Sequence, residues 1–287
     1  MSTGCAYGLR LTGLPPSALI TEGAPEAWSL WRVAHEEDDG AAPADVAIGA
    51  ASARVPVRPQ GALEIDRRAA SIAYRTSEPL SDEALVHPYL APAAAIIASW
   101  AGRISFHGAA FVVRGGAWLV LADSAAGKSA LMAALAVRGV TILADDLLVV
   151  DRDAVMAGPR CLDLRGDAAE YLGLGSPLGV IGARERWRVP LRPAPPALAI
   201  GGFITLGWAQ RPAVEFQPAS ARLPELMRHR AVLRGTVDAA PCLELAALPM
   251  LQFSRPRRLA ELENGVDVLL GALTRDQAAA DVASPAS

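Results

Sequence analysis

The segment ADSAAGKSAL, residues 122–131, holds the only lysine in the chain. Of 27 basic residues one is Lys128, so the remaining 26 are arginine. Gly127, Lys128 and Ser129 form the tail of the pattern G-x-x-x-x-G-K-[ST], in which backbone N–H groups wrap nucleotide phosphates at a helix N-terminus. In such a loop the lysine contacts the β- and γ-phosphates and the hydroxyl holds Mg²⁺. A compact ammonium on a flexible stem fits inside a closed loop, whereas a broad guanidinium fork does not. A chain biased towards arginine would keep its one lysine there. Ser124, Ala125, Ala126, Gly127, Lys128, Ser129 and Ala130 are therefore the candidate nucleotide-binding segment, with Ser129 the candidate metal ligand. One position departs from the pattern and a second is unexpected within it. Ala122 stands where the first glycine belongs, and the Asp123 carboxylate would repel phosphate unless it faces outward. The plainer alternative is an incidental Gly-Lys-Ser turn ahead of a helix; the flanking elements weigh against it.

Asp145 and Asp146 follow the apolar run VTIL, at the C-terminal end of an expected buried strand. A parallel sheet presents residues to its ligand at that end. Adjacent strand residues point to opposite faces, unless the strand ends here. One carboxylate could ligate Mg²⁺, directly or through water, while the other accepts a proton from an attacking hydroxyl. A solvated acidic turn is the bland alternative. His107 stands near the start of the preceding strand, where a histidine by itself reads as structural.

The elements that must position these residues follow from periodicity. ISFHGAAFVV and AWLVLA, joined by RGG, predict two strands and a tight turn. GKSALMAALAVRG predicts a helix closed by Gly139, followed by the strands VTILADD and LLVVD. Strand, loop, helix and strand make a βαβ unit. Upstream, residues 1–60 are loosely patterned, with a loop at 36–45 and short strands in AWSLWRVA and DVAIGAASARVPV. GALEIDRRAASIAYRT reads as a hairpin, and 81–103 as a capped helix with Pro92 near its start. Downstream, 158–195 is rich in Gly, Pro and Arg and predicts long loops, while ALAIGGFITLGW (197–208) is a core strand. Amphipathic helices are expected near 220–234 and 256–274, then a disordered tail.

Composition bounds the function. With 52% hydrophobic residues the chain can bury a substantial core. A net charge of −3 argues against a general nucleic-acid binder. The clusters Arg184, Arg186, Arg188, Arg192 and Arg255, Arg257, Arg258 could grip an acidic peptide or a phosphate; solvated surface is the ordinary reading of such clusters in an arginine-biased chain. Cys5, Cys161 and Cys242 are odd in number and far apart, as expected of a reducing compartment. No secretory signal or run of 18 apolar residues is present, so a cytoplasmic location and no membrane partner are expected.

The ordered set FHGAAFVV, LADSAAGKSAL and RGVTILADDLLVVD resembles the catalytic domain of HPr kinase/phosphorylase and related bacterial serine kinases. The resemblance covers roughly 104–208. It implies an α/β fold: a phosphate-loop (P-loop) kinase core of the HPr kinase type at 101–275. An N-terminal β-rich or mixed α/β region at 1–100 precedes it, and the tail at 276–287 follows. It implies ATP and Mg²⁺ as cofactors and Asp145, His107 and Lys128 as the catalytic set. Within that set Asp145 is the base towards a serine hydroxyl and His107 contacts phosphate. Lys128 and Ser129 serve nucleotide and metal, and Asp146 supports metal or base. The family's Glu-x-Arg-Gly segment has a counterpart in Asp163–Gly166. Residues 1–100 do not resemble the family's N-terminal domain, and 158–195 lacks its regular continuation. The implied reaction is transfer of the ATP γ-phosphate to a serine of a protein or peptide, such as a ribosomally made precursor peptide. A homo-oligomer is compatible with this reading. The alternatives are a bifunctional kinase/phosphorylase, a kinase for a small hydroxyl metabolite, and a nucleotide-binding module without catalysis.

Overall fold

The computed structural model describes residues 3–14, 17–38, 42–58, 61–181, 184–231 and 239–283. It is a mixed α/β structure with three sheets. The first sheet takes strands β1 (Gly4–Ala6), β2 (Leu9–Thr12), β3 (Thr21–Glu22), β4 (Leu30–Glu37), β5 (Ala47–Ile48), β6 (Ser52–Pro56), β7 (Gly61–Asp66) and β8 (Ser71–Thr76). Their order is β3-β1-β2-β4-β8-β7-β6-β5. Alternation of buried and exposed residues, as in Ser52–Pro56, gives this sheet one apolar face. The expected hairpin is β7–β8. After a short turn α1 (Asp82–Ala84), the chain enters helix α2 (Leu90–Trp100). Pro92 lies in its first turn, where its missing N–H costs nothing. Helix α2 shares a core with that apolar face and with Leu147, Val149 and Met156 from the second sheet.

The second sheet is built on β9 (Ile104–Val113) and β10 (Gly116–Leu121). Residues on alternate faces of β9 enter different cores: Ile104, Phe106 and Ala110 one, Ala109, Phe111 and Val113 the other. Helix α3 (Lys128–Val137) follows β10 and ends before Gly139, whose φ is 82°. Strands β11 (Ile142–Ala144) and β12 (Leu147–Asp151) then run against β9 one after the other, both antiparallel to it. Since β10 is also antiparallel to β9, β10 and β11 are parallel, with β9 between them. The expected βαβ unit forms, and its crossover skips one strand.

Strand β13 (Ala154–Met156) connects β12 to the long β17 (Ala197–Trp208). Strand β17 also pairs in parallel with β10, so the path β10-β9-β12-β13-β17 returns to β10. Strands β18 (Ala213–Phe216) and β19 (Met250–Arg255) extend it.

Within 158–195, expected as long loops, the described residues instead form strands and a helix over much of their length. Strands β14 (Cys161–Leu164), β15 (Ser176–Ile181) and β16 (Arg184–Pro190) form a third sheet in the order β14-β16-β15, with α4 (Gly166–Leu172) between its first two strands. Apolar alternation could not reveal it, because a charged cross-strand pair stands at its centre: Asp163 of β14 faces Arg188 of β16. Helix α5 (Ala219–Arg228) is shorter than the expected 220–234; residues 232–238 lie outside the described residues. Helix α6 (Ala240–Ala246) was not foreseen. Helix α7 (Leu262–Ala283) starts later than the expected 256, because Arg255 still belongs to β19. It also runs through 276–283, part of the segment expected to be disordered, over an alanine-rich stretch of high helix propensity. Residues 284–287 lie outside the described residues. Among those described, no helix is long and apolar enough to cross a membrane.

Candidate functional site

One cleft, of about 330 Å³, gathers His107, Lys128, Ser129, Asp145 and Asp146. Its floor is the loop between β10 and α3. Gly127, the residue before the helix, has φ 80°, the left-handed conformation that glycine tolerates. Ala125 is held at φ 65° despite its Cβ. Ala122, at the position of the missing glycine, has no positive φ, so the departure there carries no backbone cost. The Asp123 carboxylate does turn outward, 64% exposed and 2.6 Å from Arg228. Ser124, Ala125, Gly127, Ser129 and Ala130 line the cleft. Ala126 does not line it, and its carbonyl accepts from Arg255 at 3.1 Å.

Lys128 is 7% exposed. Its ammonium donates to the carbonyls of Ala122 (2.8 Å) and Asp123 (3.1 Å) and to His107 Nε2 (3.0 Å). Burial lowers its pKa, against the pull of the Asp145 and Asp146 charges. Burial, reinforced by Lys128, also lowers the pKa of His107. A neutral imidazole suits the contacts: Nδ1–H donates to the Asp146 carbonyl at 3.0 Å, which leaves Nε2 to accept from Lys128. Next to it Gly108 must be glycine, since a Cβ would stand 2.6 Å from the Val120 carbonyl oxygen.

The two aspartates part company at a break between β11 and β12. Asp146 adopts φ 72°, which ends the strand and sends the two side chains into different surroundings. Asp145 is 4% exposed and accepts a hydrogen bond from Ser129 Oγ at 2.9 Å. Its other oxygen, Oδ1, is buried without a hydrogen-bond partner. Burial, then repulsion from Asp146, holds its carboxyl up at about 7. The Asp146 side chain is 45% exposed, with Oδ1 3.5 Å from His107 Nδ1.

The opposite wall comes from the third sheet. Asp163 is 3% exposed at its side chain and receives Arg188 Nε at 2.7 Å and Arg186 Nη1 at 3.1 Å. Burial would raise this carboxyl, but the bonds from Arg188 and the charges of His87, Arg188 and Arg186 outweigh it and hold it low. Arg188 also donates to the carbonyls of Glu83 and His87, fastening the α1–α2 segment to this wall. Arg184 reaches Ser124 Oγ at 3.2 Å. The arginine clusters are therefore not simple solvated surface: Arg188 is 5% and Arg255 3% exposed, and Arg184, Arg186, Arg255, Arg257 and Arg258 line the cleft. Trp208, which carried no signal in the sequence beyond ending a core strand, stands at the cleft with Arg255 and Arg257 over its ring.

No protein-family model matches the chain, and no curated protein matches it. Among solved structures, the HPr(Ser) kinase/phosphatase from Coxiella burnetii aligns over 60% of this chain and 98% of that one, at 11% identity and a TM-score of 0.30. A TM-score of 0.30 assigns neither fold nor activity to this chain, and the site's geometry stands by itself.

Proposed function

We propose that this protein is a phosphotransferase that uses Mg²⁺-ATP and passes the γ-phosphoryl group to a serine hydroxyl of a protein or peptide. The observation that carries the reading is the hydrogen bond from Ser129 Oγ to Asp145, at the N-terminus of α3 and beside a buried lysine. The loop leads into the positive end of helix α3, with Lys128 at its first position, a combination suited to phosphate. The serine-bearing acceptor rests on the sequence resemblance.

The residues present fit a magnesium ion. Ser129 Oγ and the unpartnered, buried Asp145 Oδ1 are hard oxygen donors side by side. Among the described residues no group of three or more His, Cys, Asp or Glu could hold a metal. Mg²⁺ takes one or two carboxylates and fills its shell with water and substrate phosphate oxygens. Bound there, the ion would neutralise charge on the phosphates.

The chain's own groups then divide the work. Lys128 offers its ammonium to the phosphates from within the loop. The roles implied for the aspartates are exchanged in this proposal. Asp145 is buried against Ser129 and belongs to the metal side. Asp146, half-exposed in the cleft, is the carboxylate that an incoming hydroxyl can meet, and it takes the proton as the oxygen attacks. His107 holds the Asp146 carbonyl through Nδ1–H, and so fixes the break that aims this carboxylate.

One observation favours a second reading, nucleotide binding without transfer. All three hydrogens of the Lys128 ammonium are already directed at protein acceptors. Incubation with γ-labelled ATP, Mg²⁺ and serine peptides separates the two. Label in a peptide, lost in Lys128→Ala, supports transfer; ATP binding with no label in any acceptor supports the module. Release of label to inorganic phosphate, as pyrophosphate, would add a phosphorylase activity.

A further inference from the structure

Arg255 is a buried cation without an anion: it is 3% exposed and makes no ion pair among the described residues. It ends β19, opposite Trp208 of β17 in register. Its guanidinium carbon lies 4.8 Å from the Trp208 ring centroid and 5.7 Å from that of Phe253. Nη2 donates to the carbonyls of Ala126 at 3.1 Å and Gly127 at 3.2 Å. Nη1 is buried with no hydrogen-bond partner, so the aromatic faces supply its compensation. A Cβ on Gly127 would stand 2.6 Å from Nη2.

Carbonyls buried in a tight loop need donors. Two cations provide them. Lys128 takes the carbonyls of residues 122 and 123, and Arg255 those of 126 and 127. Between the two pairs lies Ala125, in a conformation unfavourable for an L-residue. We infer that Arg255 is a positioning residue that braces the phosphate loop through the Ala126 and Gly127 carbonyls, so that the loop is formed before a ligand arrives. The inference rests on the reading of this loop as a phosphate site, and preorganisation of that kind raises affinity by lowering the cost of ordering.

The full chain without nucleotide tests the brace directly, by hydrogen exchange in Arg255→Met and Arg255→Lys. The reporters are the Ala126 amide, bonded to the Asp123 carbonyl, and the Leu131 amide, bonded to the Gly127 carbonyl. In Arg255→Met both should exchange about tenfold faster, while amides of β9 and β10 change less than about twofold. The dissociation constant for Mg²⁺-ADP should rise about tenfold, with Arg255→Lys recovering part of both effects because one ammonium can still reach a carbonyl. Unchanged loop exchange overturns the inference, and so does acceleration of loop and sheet amides together, which marks a merely structural arginine. If Arg255→Met does not fold, Arg255→Lys carries the same comparison at smaller amplitude. If the wild type does not bind Mg²⁺-ADP, the nucleotide reading fails, while the exchange data still decide what Arg255 does.

Discussion

Ser129 Oγ lies 2.9 Å from Asp145 Oδ2, so one hydrogen bond joins the first turn of α3 to the break between β11 and β12. Loop and acidic pair therefore form one unit, and its parts can be taken away singly.

Ser129→Ala removes the proposed metal ligand and leaves the loop backbone in place. The Mg²⁺ concentration for half-maximal transfer should rise about tenfold, with the ATP concentration dependence at saturating Mg²⁺ changed far less. An unaltered Mg²⁺ titration contradicts the assignment of Ser129 to the metal.

Lys128→Arg keeps the charge and loses the shape. The ammonium has three acceptors around it at 2.8–3.1 Å in a buried nest, and a planar guanidinium does not match that arrangement. Transfer should fall by about 10²-fold or more in Lys128→Arg, close to the loss in Lys128→Ala. Thermal melting of the arginine variant should show that it still folds. Turnover near wild type in that variant would dismiss the explanation given for the chain's one lysine.

Asp145 should make the protein less stable as pH rises. Its carboxyl is held up at about 7 by burial, with Asp146 adding to the effect. A raised acid favours folding while both states are protonated, below about pH 4. That contribution is lost as pH climbs through the folded value. Asp145→Asn cannot ionise. In Mg²⁺-free buffer it should be more stable than wild type at pH 8, by about 2–4 kcal/mol in denaturant melts, with the gap narrowing below pH 7 and closing near pH 4. A gap that does not depend on pH contradicts the assignment.

Ala125→Gly should stabilise the loop. The alanine has φ 65°, and relief of a left-handed alanine outweighs the added freedom of glycine when unfolded, by about 0.5–1 kcal/mol. The melting temperature should rise by about 1–3 °C. A fall instead shows that the backbone there is not strained.

What the sequence showed and what it hid divide by distance along the chain. Gly127, Lys128 and Ser129 carry a local pattern, and VTIL before Asp145 announces a buried strand end, so the heart of the cleft was readable. Charge made an outward turn of Asp123 a condition for phosphate binding, and the structure has it turned outward, to Arg228. Arg255 was not readable as a loop contact, because it meets Gly127 across 128 residues and sits in an arginine-rich run that resembles ordinary surface. The third sheet was hidden for a different reason. Asp163 and Arg188 pair through charge across β14 and β16, and polar strands among Gly and Pro leave no period-two signal. Which aspartate is the exposed one also depended on a single torsion, the φ of 72° at Asp146.

That torsion gives the most direct measurement of the central claim. Asp145→Asn and Asp146→Asn should be compared side by side for ATP affinity, Mg²⁺ dependence and label transfer to a serine acceptor. The proposal expects Asp146→Asn to keep ATP affinity and its Mg²⁺ response while transfer falls roughly 10²–10⁴-fold, since an amide cannot take the serine proton. It expects Asp145→Asn to shift the Mg²⁺ requirement upward, with transfer partly restored at high Mg²⁺. Loss of transfer in Asp145→Asn that no Mg²⁺ restores, with Asp146→Asn fully active, returns the base to Asp145. Full transfer in both variants contradicts the phosphotransferase mechanism itself.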